Sequence, residues 1–389
     1  MPPFDEIIDR SHTGSIKWDP ASLNQHFGHE DLLPLWVADM DFRAPQPVID
    51  ALVERVNHGI FGYTFQSNYK DSVINWFNRR HNWSINKEWF VFSPGIVPAV
   101  TYLVQRFTQP GDHVIIQTPV YHPFIDLIEH NGRQVVSNQL SLNDSHYQMN
   151  YEDLEKQAKD PRAKMLILCS PHNPVGRVWS KDELVRLGNI CIENDILIIA
   201  DEIWCDLVYP RYQHTPFASI SPEFAQSSII CTAGSKTFNL AGLQHSNILI
   251  PSEQLRENFK IQMEKVFLLT PNSFGSLALQ VAYDKGEEWL DSVIGVIDQN
   301  LTFLKSFIKK KLPKVSVIEP EGTYLVWLDF RAFKLDPKEL QEKILTEAKV
   351  ALEPGDKFGA GGEGFERINI ACPPTILEEA LERLAKAIQ

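Results

Sequence analysis

No apolar run in this sequence approaches the ~20 residues that a membrane-spanning helix requires, so nothing in it reads as a bilayer anchor. Basic residues are outnumbered, 37 Lys and Arg against 50 Asp and Glu, for a formal charge of −13. That balance argues against nucleic acid or an anionic membrane as partner, because phosphate-rich surfaces are bound through basic ones. It leaves room for a local anion pocket, since a few well-placed donors hold a phosphate on an acidic protein. The five cysteines, Cys169, Cys191, Cys205, Cys231 and Cys372, contain no CxxC pair. An odd count without a framework excludes a disulfide scaffold and implies a reducing, cytoplasmic setting. The opening MPPFDEIIDR is acidic and lacks the basic stretch followed by an apolar one that marks a secretory signal. The turn Ser93-Pro94-Gly95 after WFVF is not GxGxxG, so it gives no support to a dinucleotide. His26 and His29 lie close together, but the further ligands that zinc needs are not apparent, and no metal is expected.

What the sequence does hold is length and ordinary globular composition. Its 389 residues, 43% hydrophobic and 22% charged, suffice for two domains with sizeable cores. From about residue 88 to 250, short apolar runs alternate with amphipathic stretches. WFVF (89–92), HVIIQ (113–117), KMLILC (164–169), ILIIA (196–200) and SIICT (228–232) read as strands. Their unbroken apolar character suits strands buried on both faces, as in a parallel sheet covered by helices. Ser180-Lys-Asp-Glu183 is a capping box opening a helix through Asn194. The class is therefore α/β, with a large domain at 45–285 built on a mostly parallel sheet sandwiched by helices. A long helix over 287–311, then VSVIEP, EGTYLVWLDF and a helix after Pro374, point to a smaller α+β domain formed by 286–389 with 1–44. Pro34, Pro45 and Pro47 bracket an extended PLWVADMDF segment.

Four polar features fall at the ends of the predicted strands, where an α/β sheet places its ligand. Ser93-Pro94-Gly95 leads into an apolar helix from Ile96. Free N–H groups and a positive dipole end suit such a turn to a phosphate, although alone it reads equally as an ordinary strand-to-helix turn. SPHNPVG (170–176) forces a turn in which Asn173 faces a ligand or simply shapes the loop. Asp201, directly after ILIIA, is a carboxylate at the tip of a buried strand. It costs several kcal/mol unless paired with a cation, whether a ligand or a neighbouring Lys or Arg. Lys236, in Gly234-Ser235-Lys236-Thr237, is either a solvated loop lysine or a desolvated amine suited to imine chemistry.

The ordered set PHNPVG, ADE and SKTFNLAG, followed far downstream by Arg367 in FERINIA, resembles the fold-type-I pyridoxal-5′-phosphate (PLP) enzymes of the aspartate-aminotransferase superfamily over essentially the whole chain. Within it, PLWVADMDF (34–42), SPHNPVGRVW (170–179), DEIWCDLVY (201–209), SKTFNLAGLQ (235–244) and EGTYLVWLDF (321–330) resemble the cystathionine β-lyase/cysteine C–S lyase branch. The resemblance implies a PLP-dependent transferase-like fold with the cofactor held on Lys236 as a Schiff base, and Lys236 acting as the acid–base at the substrate α-carbon. By the same resemblance Asp201 pairs with the pyridine nitrogen, Asn173 bonds the ring's phenolic oxygen, and Tyr121 stacks on the ring. Gly95, Ile96, Val97 and Ser235 hold the phosphate, and Tyr63 reaches the phosphate of a second subunit in a homodimer. Arg367 clamps the α-carboxylate of an amino-acid substrate, with Trp36 and Tyr324 shaping the pocket.

Bland readings accompany several of these residues. Tyr63 and Tyr121 also read as half-buried surface aromatics, Arg367 as a solvent-facing arginine, and Trp36 and Tyr324 as core. Asp39 reads as structural at least as readily as substrate-facing, and Gly359–Gly364 as a mobile loop. One departure stands out: where many superfamily members carry a basic residue toward the phosphate, eight positions after the lysine, this chain has Gln244. The implied reaction is α,β-elimination from an S-substituted L-cysteine. An aminotransferase and a PLP-fold regulator with a protein partner are the alternatives.

Overall fold

The computed structural model describes residues 4–65 and 68–388. Its centre is a seven-stranded sheet of β1 (Phe90–Ser93), β2 (His113–Ile116), β3 (Gln134–Ser137), β4 (Ala163–Cys169), β5 (Leu197–Asp201), β6 (Ser228–Thr232) and β7 (Ser246–Leu249). In space they run β1-β7-β6-β5-β4-β2-β3. β7 is antiparallel to both neighbours, and the pairs from β6 across to β3 are parallel. All five runs read as strands from sequence lie here. β3 and β7 were not read, because one is a half-exposed edge strand and the other, SNIL, begins with two polar residues.

Strands β4, β5 and β6 are buried along nearly their whole length, which their unbroken Leu, Ile and Val content requires once helices cover both faces. One cover is α1 (Ile96–Phe107), whose buried stripe Ile96, Ala99, Val100, Leu103 and Val104 recurs at three- and four-residue spacing. α2 (Lys181–Glu193) begins with the predicted capping box, the Ser180 and Glu183 side chains each accepting from the other's backbone N–H. Gly188 of α2 has no room for a side chain, since a Cβ there would sit 2.1 Å from the Phe224 ring.

After the short turn α3 (Gly234–Thr237) and the long α4 (Glu287–Lys311), the chain forms a second, antiparallel sheet. Its strands β8 (Ser316–Ile318), β9 (Leu325–Asp329), β10 (Glu353–Pro354) and β11 (Phe365–Asn369) lie in the order β8-β9-β11-β10. The closing helix α5 (Pro374–Ala387) packs on α4. Leu33–Pro34 pairs in parallel with Val350–Ala351, which ties the N-terminal segment to the C-terminal part of the chain. Among the described residues no helix is long and apolar enough to cross a membrane. The Gly-rich stretch is tightly packed: the Gly362 backbone lies against the Gly355 carbonyl, where a Cβ would clash at 1.9 Å.

Candidate active site

Parallel strands leave their carboxyl ends on one edge of the sheet, and the four polar features meet there around a cavity of about 490 Å³. β5 ends in Asp201, β4 runs into the turn carrying Asn173, and β6 runs into α3, which carries Ser235 and Lys236. β1 delivers Gly95, Ile96 and Val97 at the start of α1. All of these line the cavity, as do Tyr121, Trp36 and Arg367.

Lys236 faces the cavity half-buried. Its Nζ donates to the Ala38 carbonyl at 2.7 Å and lies 5.5 Å from the centre of the Trp204 ring. Burial lowers the amine to about 8; Asp39 opposes that shift and Arg367 adds to it. Asp201 is buried, and the hydrogen bond that its carboxylate accepts comes from the Ile203 N–H at 3.1 Å. Burial pushes its carboxyl up to about 7 despite that bond and the nearby Lys236. An acid so placed ionises readily only when a cation is brought to it.

Arg367 is buried too. Nη1 donates to Asn173 Oδ1 at 3.1 Å and Nη2 to the Trp36 carbonyl at 2.8 Å, while Nε has no acceptor among the described residues. Glu353 Oε2 stands 3.8 Å from Nη2, and the unmet Nε donor at the cavity wall suits the guanidinium to a further carboxylate. Tyr121 is half-buried, and burial, then the Asp201 charge, raises its hydroxyl.

Pyridoxal phosphate fits these groups. A protonated ring nitrogen is the cation Asp201 lacks, the first N–H groups of α1 lack intrahelical partners and suit the phosphate, and Lys236 holds a lowered amine beside them. Gln244 also lines the cavity, so a neutral amide stands where a basic side chain was looked for.

Two expected residues lie elsewhere. Tyr324 is fully buried behind the cavity wall, its hydroxyl donating to the Ala38 carbonyl at 2.8 Å. Tyr63 is fully exposed and does not line the cavity of this chain. Arg10 bonds both carboxylate oxygens of Asp39, a structural engagement, and Asp39 does not line the cavity.

Structure also brings in residues that sequence reasoning passed over. Asn239, three residues after the lysine, accepts from the Met40 N–H and donates to the Met40 and Phe42 carbonyls, tying the lysine loop to the PLWVADMDF segment. Its place in SKTFNLAG was the available signal. Asp206 accepts from Trp76, His81 and Thr237 at 2.7–2.9 Å, bracing α3 from behind. Ligand atoms of His81, Cys205 and Asp206 fall within 4.8 Å of one another, but the Asp206 oxygens already serve these donors. Glu353 lines the cavity opposite Arg367 in the β10–β11 pair, a position that strand register alone reveals.

Residues 30–384 match the family model for aminotransferase class I and II. This chain belongs to that family, the class of protein that its sheet and its lysine-bearing cavity define. More particularly, it is 46% identical over 386 residues to cystathionine beta-lyase PatB of Bacillus subtilis (strain 168), covering 99% of each chain. Its structure superposes on cystalysin from Treponema denticola, which contains pyridoxal 5′-phosphate, with a TM-score of 0.96 and 40% identity over 100% of this chain and 99% of that one. A PLP-bound protein of Clostridium difficile 630, provisionally named an aminotransferase, gives a TM-score of 0.97 and 43% identity over the full length of both.

Proposed function

We propose that this chain is a PLP-dependent carbon–sulfur β-lyase that cleaves S-substituted L-cysteines, L-cystathionine among them, to a thiol, pyruvate and ammonia. The observation that carries this reading is the lowered amine of Lys236 sharing one cavity with the open fork of Arg367. Kinship with a cystathionine beta-lyase turns that amino-acid site toward sulfur elimination.

When bound, pyridoxal phosphate supplies an electron sink for charge that develops at the substrate α-carbon. Asp201 keeps the ring nitrogen protonated, and Asn173, shared with Arg367, sets the ring and the carboxylate clamp in one frame. Arg367 fixes the substrate carboxylate and so orients the Cα–H bond toward Lys236. The Lys236 amine removes that proton, and the β-carbon–sulfur bond then breaks with the electron pair leaving on sulfur. Water completes the release of pyruvate and ammonium. Tyr121 covers the ring face and excludes solvent from the site.

The active unit of this reading is a homodimer in the cytoplasm. Ile60, Phe61, Tyr63 and Phe65 stand exposed on one short segment, and an exposed apolar group of this kind marks an interaction surface. Tyr63 then reaches the phosphate of the second subunit. All five cysteines are free and buried, in keeping with a reducing compartment.

Incubating the purified protein with L-cystathionine and measuring pyruvate and free thiol tests the reaction. Equal amounts of both, with no added keto acid, are expected. An aminotransferase would share the first proton removal but release keto acid only with an amino-group acceptor present, and no thiol.

A further inference from the structure

With Lys236 and Asp201 assigned to the cofactor and Arg367 to the α-carboxylate, His122, Gln244, His245 and Glu353 still line the cavity without a role. Gln244 and His245 lead into β7, whose Ser246 pairs with Ser93 of β1, so they stand beside the phosphate turn. Glu353 accepts from Lys357 Nζ at 2.9 Å and lies 3.8 Å from Arg367 Nη2. A carboxylate paired in this way only accepts, and offers nothing to another anion. His122 differs from all three. It is an imidazole on the substrate side, half-buried at the cavity mouth with its side chain 36% exposed.

Two neighbours fix where His122 stands relative to substrate. Tyr121 precedes it in the chain, with the two ring centroids 5.7 Å apart. On its other side the His122 ring meets Phe358 edge-on at 5.9 Å, and the Arg367 guanidinium lies 5.0 Å from the centre of that same phenyl ring. His122 therefore sits one ring beyond the carboxylate clamp. With the substrate carboxylate on Arg367 and its Cα–H bond aimed at Lys236, the β-substituent is left the outward direction, past His122. Burial lowers the imidazole from its ordinary value; Glu353 and Asp126 oppose that shift, and Arg367 and Lys357 add to it. The ring is thus a neutral N–H donor at pH 7. Its Nδ1 lies 4.0 Å from Asp126 Oδ2, too far for a hydrogen bond.

We infer that His122 is the hydrogen-bond donor to the departing sulfur. When the β-carbon–sulfur bond breaks, both of its electrons go to sulfur, and a thiolate forms where an unpaired anion is costly. The His122 N–H meets that charge as it develops. The ring keeps its proton, and the released thiolate takes one from water. Alkyl thiolates, which hold charge poorly, depend on this donor. Aryl thiolates, whose charge spreads into their own ring, depend on it far less. The inference rests on the proposed lyase reading and adds to it a residue that touches the reacting atoms.

The test compares S-ethyl-L-cysteine with S-(4-nitrophenyl)-L-cysteine on PLP-loaded wild type, His122→Phe, His122→Ala and His122→Gln. Both His122→Phe and His122→Ala should lower kcat/KM for the ethyl substrate at least about ten-fold more than for the nitrophenyl one, the scale of a charge-assisted hydrogen bond. His122→Gln keeps an N–H donor and should stay within about three-fold of wild type on both. A second readout follows the α-proton in D2O. When departure of sulfur is slowed, Lys236 returns a solvent-derived hydron to Cα instead. Deuterium in unconsumed S-ethyl-L-cysteine, per pyruvate formed, should therefore rise about ten-fold in His122→Phe, a ratio that mere loss of packing leaves alone. Equal losses on both substrates with an unchanged exchange ratio overturn the inference. So does leaving-group selectivity that appears in Tyr121→Phe and not in the His122 variants, which would give the donor's part to the tyrosine hydroxyl. A wild type that forms no thiol from either substrate defeats the lyase reading and this inference with it, whereas an active wild type with indifferent variants defeats this inference alone.

Discussion

Lys236 Nζ and the Ala38 carbonyl lie 2.7 Å apart, with the Tyr324 hydroxyl donating to the same oxygen at 2.8 Å. One carbonyl of the N-terminal segment therefore sets where the lysine amine rests. That segment is pinned along its length: Arg367 holds the Trp36 carbonyl, Asn369 those of Val37 and Asp39, and Asn239 those of Met40 and Phe42. Arg10 and the fully buried Lys17 are set against Asp39 and Asp41, two cations against two anions.

Tyr324→Phe should loosen the Ala38 carbonyl without touching substrate. Losing one buried hydrogen bond of about 1 kcal/mol predicts a roughly five-fold fall in kcat with little change in KM. Steady-state kinetics on a sulfur substrate checks this. A KM effect with kcat intact would mean that the hydroxyl meets substrate after all.

The Lys236 amine must be neutral to capture the cofactor. Because burial lowers it to about 8, the rate of PLP uptake by cofactor-free protein should rise with pH and level off above about 8. A lysine in water titrates near 10.4. Uptake still climbing steeply at about pH 10 would place this amine in solvent.

Asp201 supplies a stability test with a definite sign. Its folded, cofactor-free carboxyl is raised to about 7 from an unfolded value of about 3.9. The unfolded state therefore loses its proton first, and the group destabilises the folded protein increasingly from about pH 4 to pH 7, with the full cost present above that. Asp201→Asn removes the cost. In urea titrations of cofactor-free protein, the stability gained by the variant should grow across that window and then stay level, at most on the order of 4 kcal/mol. With PLP bound, the ring cation should reverse the preference in favour of aspartate.

Asp206 is the brace behind the lysine turn. Burial would raise its carboxyl, but donors from His81, Trp76 and Thr237 outweigh that and leave it lowered. Asp206→Ala strands these three donors in the core, and each unmet donor costs about 1–3 kcal/mol. Thr237→Val removes only one. Denaturant midpoints should therefore fall far more for Asp206→Ala than for Thr237→Val, whereas equal losses would show that Thr237 alone draws on the carboxylate.

The parts of this site legible in sequence are those whose chemistry is local. KMLILC, ILIIA and SIICT announce buried strands because every residue must be apolar there, and Asn173, Asp201 and Lys236 follow at their ends. Gly95, Ile96 and Val97 were readable for the same reason, as the first turn of an apolar helix. What escaped depends on pairing between distant segments. Glu353 faces Arg367 only through the β10–β11 register, and Asp206 meets Thr237 across 31 residues. For Tyr324 the resemblance implies a pocket and its sequence setting equally a core position, and only the approach of Ala38 shows what its hydroxyl does. Strand β3 was silent because an edge strand need not be wholly apolar.

The central claim is that Lys236 is the covalent anchor of pyridoxal phosphate, and the visible absorption spectrum tests it most directly. Wild-type protein given PLP and freed of excess should show the long-wavelength band of lysine-bound cofactor, and Lys236→Ala should lack it while still folding. A wild type without that band, or a Lys236→Ala variant that retains it, would contradict the account.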